Sequence, residues 1–162
     1  MRKVDPSEKK AASSISHARE WVNEARDDLG IGAVRSALMA VYMGYFHSAR
    51  AVLYHDGIRE KSHFCIGVYL ETCVESGRLE EEWAVLFDHV RGLRHADQYS
   101  LDARPTQDEA EAAINGADRF INRMEDLISS SLKIHPPHCT HPKSLILHTI
   151  GNQVSSQKME SI

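Results

Sequence analysis

The chain has 162 residues, 42% apolar and 26% charged, with a formal net charge of −4. That length buries a core as one domain without disulfides or metal, and the acidic balance argues against a generic nucleic-acid coat, which would be strongly basic. No apolar run approaches the about 20 residues that span a bilayer, and MRKVDPSEKK has no apolar segment after its charges, so the expectation is a cytoplasmic protein with no membrane association.

Residues 1–10 are charged and contain Pro6, which reads as a flexible lead-in. A first helix is predicted from about Ala12 to Leu29, with Ile15, Ala18, Val22, Ala25 and Leu29 inward and Trp21 beside them. The strongest pattern follows, from Ile31 to His63. Ile31, Val34, Leu38, Val41, Tyr45, Ala49 and Val52 recur at steps of three and four, and Tyr42, Phe46 and Leu53 widen the stripe. Gly57 marks the stop and Ser62 the N-cap of the next helix. A second stripe on this helix (Ser36, Ala40, Met43, His47, Arg50, Tyr54) suits either a groove, a subunit contact or a partly solvated flank.

The third helix starts at Ser62 and turns Ile66, Tyr69, Leu70 and Cys73 inward. Leu79, Trp83, Leu86, Val90 and Leu93 define a fourth. From His95 to Pro105 no apolar period survives, so HADQYSLDARP reads as a loop. Thr106 and Glu109 form a capping box at the start of a fifth helix, whose Ala110, Ala113, Ala117, Phe120, Met124 and Leu127 face the core. The expected fold is all-α, an antiparallel four- to five-helix bundle over residues 11–130, followed by an irregular tail, 131–162, expected to be disordered. Cys65, Cys73 and Cys139 fit free thiols in a reducing compartment.

The densest polar cluster is Arg91, Arg94 and His95, within about one turn, or about 5 Å, of the fourth helix's end, with Asp97 and Tyr99 just beyond. Cations there cap a helix, and the same groups grip a phosphate: arginine offers a planar fork and histidine a mobile proton. Lys61 and His63 stand at the start of the third helix, where positive charge and free amides favour an anion. Local packing of His63 against the second helix is the alternative. His135, His138, Cys139 and His141 are metal-ligand types, but no second ligand cluster faces them, so neither metal nor cofactor is expected.

The segments YMGYFHSARAVLYHDGIREKSH and LRHADQYSLDARPTQDEAEAAINGADRFI resemble the HEPN superfamily, in particular stand-alone bacterial and archaeal HEPN proteins, and the likeness runs from about Ser16 to Ile128. The resemblance implies a helical bundle, commonly a homodimer, tied to nucleotide or RNA chemistry and often paired with a minimal nucleotidyltransferase antitoxin. Catalytic members carry arginine, four to six residues, then histidine, and cleave RNA across the dimer. Here Arg91 and His95 have three residues between them, and Arg94 precedes His95 directly. Arg50 and His55 have the four-residue gap but lie in the second helix, away from the family's motif position.

The expectation is therefore a module binding nucleotide, RNA or a nucleotidyltransferase through Arg91, Arg94, His95, Asp97, Tyr99, His47, Arg50, Lys61 and His63. One alternative is a metal-independent ribonuclease toxin using His95 with Arg91 and Arg94. The other is a non-catalytic structural or regulatory bundle.

Overall fold

The computed structural model describes residues 1–102 and 104–130. The expected tail, with its His135–His141 group, lies outside the described residues. Five helices make the bundle: α1 (Glu8–Gly30), α2 (Val34–His55), α3 (His63–Glu75), α4 (Glu81–Tyr99) and α5 (Gln107–Ser129). A two-residue strand β1 (Arg2–Lys3) pairs antiparallel with β2 (Ile58–Arg59), Arg2 opposite Arg59.

α2 is the hub, because it packs on α1, α3, α4 and α5. Leu38, Val41, Tyr42, Tyr45, Ala49, Val52 and Leu53 are fully buried along it. Burial on so many sides explains its weak amphipathicity: a helix surrounded by others has no face to leave polar. Close approach to α1 requires Gly44, where an added Cβ would lie 2.6 Å from Val22 Cγ2 and 3.2 Å from the Ala18 carbonyl. Gly57 adopts φ 73°, and an added Cβ would meet the Val4 carbonyl at 2.7 Å, so the turn after α2 needs glycine twice over.

Local capping signals appear as read. Ser62 accepts from the Cys65 amide at 3.3 Å, and Thr106 and Glu109 form the reciprocal capping box. Other boundaries moved. α1 begins at Glu8, not Ala12, since Ser7 caps it by accepting from the Lys10 amide at 3.2 Å. Ile31 is 81% exposed in the turn before α2, not part of its stripe. The lead-in is tied to the bundle by its backbone: the Val4 amide donates to the Gly57 carbonyl, the Ser7 amide to that of Tyr54, and the terminal ammonium pairs with Glu60 at 3.1 Å.

α4 runs to Tyr99, five residues into the expected loop. The apolar period disappears there because the inward position is Asp97, 6% exposed, whose carboxylate pairs with Arg35 Nε of α2 at 2.8 Å. A buried charge with its partner replaces the leucine that the pattern requires.

Candidate functional site

Tyr42 and Phe46 lie one turn apart on α2, and α3 enters beside them. His63 meets the Tyr42 hydroxyl through Nδ1, its ring stacked on that of Tyr42 at 5.5 Å and 4.4 Å from that of Phe46. From α4, Arg94 sets its guanidinium over the Tyr42 ring, 5.4 Å from the centroid, and Arg91 lies 5.9 Å from the ring of Phe64. The first turn of α3, the second half of α4 and the middle of α2 thus gather His63, Arg94 and the rings of Tyr42 and Phe46, with Arg91 alongside over Phe64.

The arginines differ in how they are held. Arg91 bonds to Asp88 one turn back, Nε to Oδ1 at 2.9 Å, which leaves it part-neutralised. Arg94 has no carboxylate partner among the described residues, and its Nε is buried with no acceptor.

Electrostatics follow from that placement. Burial, then Arg94 and Arg91, lower the His63 pKa, which makes the imidazole neutral at physiological pH. Burial pushes Tyr42 up to about 12 against the opposing pull of the two arginines, so its hydroxyl keeps its proton.

His95 lies one turn beyond Arg91 on α4. It is exposed, with its ring 4.7 Å from that of Tyr99, itself 69% exposed. One residue on an α-helix is about 100° of rotation, so Arg94 and His95 leave α4 in different directions. Asp97 is committed to Arg35. Arg91 and His95, four residues apart, share a face of α4, so the helix parts His95 from Arg94 but not from Arg91.

Lys61 is exposed, and the α3 N-terminus is already occupied: the Glu60 carboxylate accepts from the Lys61 and Ser62 amides at 2.7 and 2.8 Å. Burial opposes that charge, but these amides and the terminal ammonium outweigh it and hold Glu60 below the usual carboxylate range.

His47 and Arg50 face the other flank of α2, toward α1. Arg50 lies 5.7 Å from the Phe46 centroid and 5.0 Å from that of Tyr54, bonding to the Tyr54 hydroxyl through Nη2. Like Arg94, it has a buried Nε without an acceptor. His47 packs edge-on against His17 at 4.6 Å.

Two features escaped the sequence reading. Phe64 is 61% exposed, and its only signal is being an aromatic out of register with Ile66, Tyr69, Leu70 and Cys73. The second is a buried ion pair, Asp56 with Arg78 at 2.8 Å, to which Tyr69 and His55 add hydrogen bonds of 2.5 and 3.0 Å. No pattern announces it, because Asp56 reads as an ordinary turn residue. Among the described residues no group of three His, Cys, Asp or Glu side chains is arranged to hold a metal ion, and no helix is long and apolar enough to cross a membrane.

Comparison with known proteins places these elements in a family. The family model described as "HEPN domain" matches residues 11–127, from the first turn of α1 to the last of α5. A curated protein of Methanocaldococcus jannaschii, named "Putative toxin MJ0605", is 30% identical over 102 residues, covering 60% of this chain and 73% of that protein. With its five-helix bundle matched almost from end to end, the chain belongs to the HEPN domain family.

Proposed function

We propose that this HEPN chain binds the phosphate groups of RNA or a nucleotide at the shelf formed by Tyr42, Phe46 and His63, with Arg94 as the principal contact and Arg91 beside it. The observation that carries this reading is the Arg94 guanidinium: laid over an aromatic ring, without a carboxylate, one donor buried and unanswered. Guanidinium is weakly hydrated and forks onto phosphate oxygens, so a partly dehydrated arginine beside a neutral imidazole favours that anion. In this reading the protein acts as a homodimer in a toxin–antitoxin pair, with a nucleotidyltransferase as the antitoxin. The toxin name carried by the archaeal relative supports the role.

A second reading, a metal-independent ribonuclease, draws on His63. A neutral imidazole next to Arg94 is suited to take the 2′-hydroxyl proton as that oxygen attacks the phosphorus and the bond to the 5′-oxygen breaks, the guanidinium steadying the phosphorane and the leaving oxygen taking a proton from water.

One experiment addresses both. A short single-stranded RNA is titrated into the full chain, its Arg94→Ala variant and its Arg94→Lys variant across a salt series, and the mixtures with EDTA are examined for cleavage. Expected are at least tenfold weaker binding in Arg94→Ala and a shallower salt slope. Unchanged binding refutes the assignment. Cleavage lost in His63→Ala but kept in His95→Ala establishes the nuclease; cleavage lost only in His95→Ala rejects the role given to His63.

A further inference from the structure

Farther along α2 from that shelf, between α2 and the facing turns of α1, lies an open cleft of about 760 Å³. Its charge is one-sided. Lys9, Lys10 and Arg50 line it, and the one carboxylate lining it, Glu20, is held at 3.2 Å by His17 Nδ1. Arg50 presents the same signature as Arg94, a guanidinium lying on aromatic rings with a buried Nε that has no acceptor.

The hydroxyls sort themselves. Ser7 accepts from the Lys10 amide and Ser14 donates to the His47 carbonyl at 2.8 Å, which leaves Ser13 to face an incoming group. The rings of His47 and Tyr54, seven residues apart on α2, also line it, that of Tyr54 beneath the Arg50 guanidinium. Burial, then His17 and Arg50, lower the His47 pKa to about 4, so that imidazole is uncharged at neutral pH.

We propose that this cleft is a second phosphate site, distinct from Arg94, which takes a phosphate ester carrying a flat ring: the phosphate lies against Arg50, Lys10 and Ser13, and the ring against His47. The volume falls in the range of about 300–1,000 Å³ typical of small-ligand sites. Arginine and lysine donors meet the phosphate oxygens, and the neutral His47 ring offers a stacking face without adding charge. The site adjoins the shelf but is centred on a different arginine. Tyr42 and Arg50 are eight residues apart on α2, or about 12 Å along its axis. Phe46 stands between them, touching His63 on one side and Arg50 on the other.

The ligand has two sources, a free nucleotide or one nucleotide of a strand, and the test separates them. The imidazole NMR signals of His17 and His47 are followed in the full chain as inorganic phosphate, AMP or a short single-stranded RNA is added, with chloride at matched ionic strength as control. AMP is expected to shift the His47 signal saturably and more tightly than inorganic phosphate. Arg50→Ala weakens that response at least tenfold and Lys10→Ala several-fold, while Arg94→Ala leaves it intact, so failure here is distinguishable from failure at the α4 shelf. Arg50→Lys keeps the charge but not the fork and is expected to fall between. A response to RNA alone assigns a strand nucleotide. Shifts that chloride reproduces, or that persist undiminished in a folded Arg50→Ala protein, overturn the proposal.

Discussion

Asp56 offers the sharpest test of how the structure is held together. Its side chain is 2% exposed and that of Arg78 is 4% exposed, with Nη1 to Oδ2 at 2.8 Å and Nη2 to Oδ1 at 3.3 Å. Tyr69 donates to the same carboxylate. Burial alone raises the Asp56 pKa, yet hydrogen bonds from Arg78, Tyr69 and His55 hold it below the usual carboxylate range.

Asp56→Ala therefore strands a guanidinium in a dry site, and breaking such a pair costs about 3–5 kcal/mol. Against a total stability of about 5–15 kcal/mol, that is a large fraction of the fold. In urea titration, with a slope of about 2 kcal/mol per M, the midpoint is expected to fall by about 2 M. The triple variant D56L/R78M/Y69F removes both charges and the stranded hydroxyl together. It is expected to lose less than Asp56→Ala, because no uncompensated charge remains inside. A loss below about 1 kcal/mol in Asp56→Ala, or a triple variant worse than the single, refutes the reasoning. Asp56 also ends α2 and grips Tyr69 of α3, so binding at His63 should weaken in step with stability.

Gly116→Ala places a Cβ 2.7 Å from the Tyr45 hydroxyl, which donates to the Ala113 carbonyl at 2.9 Å. The crowding is expected to cost about 1–3 kcal/mol, more than the about 1 kcal/mol that alanine returns as a better helix former. In a Tyr45→Phe background that cost should shrink, and an equal cost in both backgrounds, measured by thermal melting, speaks against the contact. Stability should also depend on pH through His47 and His63, whose folded pKa values are lowered. The unfolded chain takes up their protons first, so stability declines as pH drops from about 6.5 toward 4 and is unaffected by these groups above that window. His47→Gln, followed by melting temperature against pH, should flatten part of that decline; an unchanged profile rejects the assignment.

The aromatic shelf and the cleft share one device. In each, an arginine is laid on rings of α2 with its Nε left without an acceptor. Arg19, Arg26, Arg35, Arg78, Arg91 and Arg123, by contrast, all pair with carboxylates. Among the described residues no carboxylate pairs with Arg94 or Arg50, in a chain whose net charge is negative.

Much of the bundle was legible before any coordinates. Ile66, Tyr69, Leu70 and Cys73 are the buried residues of α3, and the six core positions read for α5 are buried. Gly57, Ser62 and the Thr106–Glu109 box lie where the chain turns or caps. These features depend on neighbours three or four residues away, and a one-dimensional string carries that information directly. Candidate site residues were legible as types only. His95 beside Arg94 looked like a cluster, whereas the imidazole that meets the Arg94 shelf is His63, brought there by a contact with Tyr42 across 21 residues.

Asp97 hid the last turn of α4 because its partner Arg35 is 62 residues away, and Asp56 concealed a buried ion pair with a residue 22 positions on. Apolar periodicity reports which face of a helix is buried, since burial follows from local geometry and hydration. Which charge meets which, and which guanidinium is left without a partner, depends on distances between elements, and those exist only once the helices have packed.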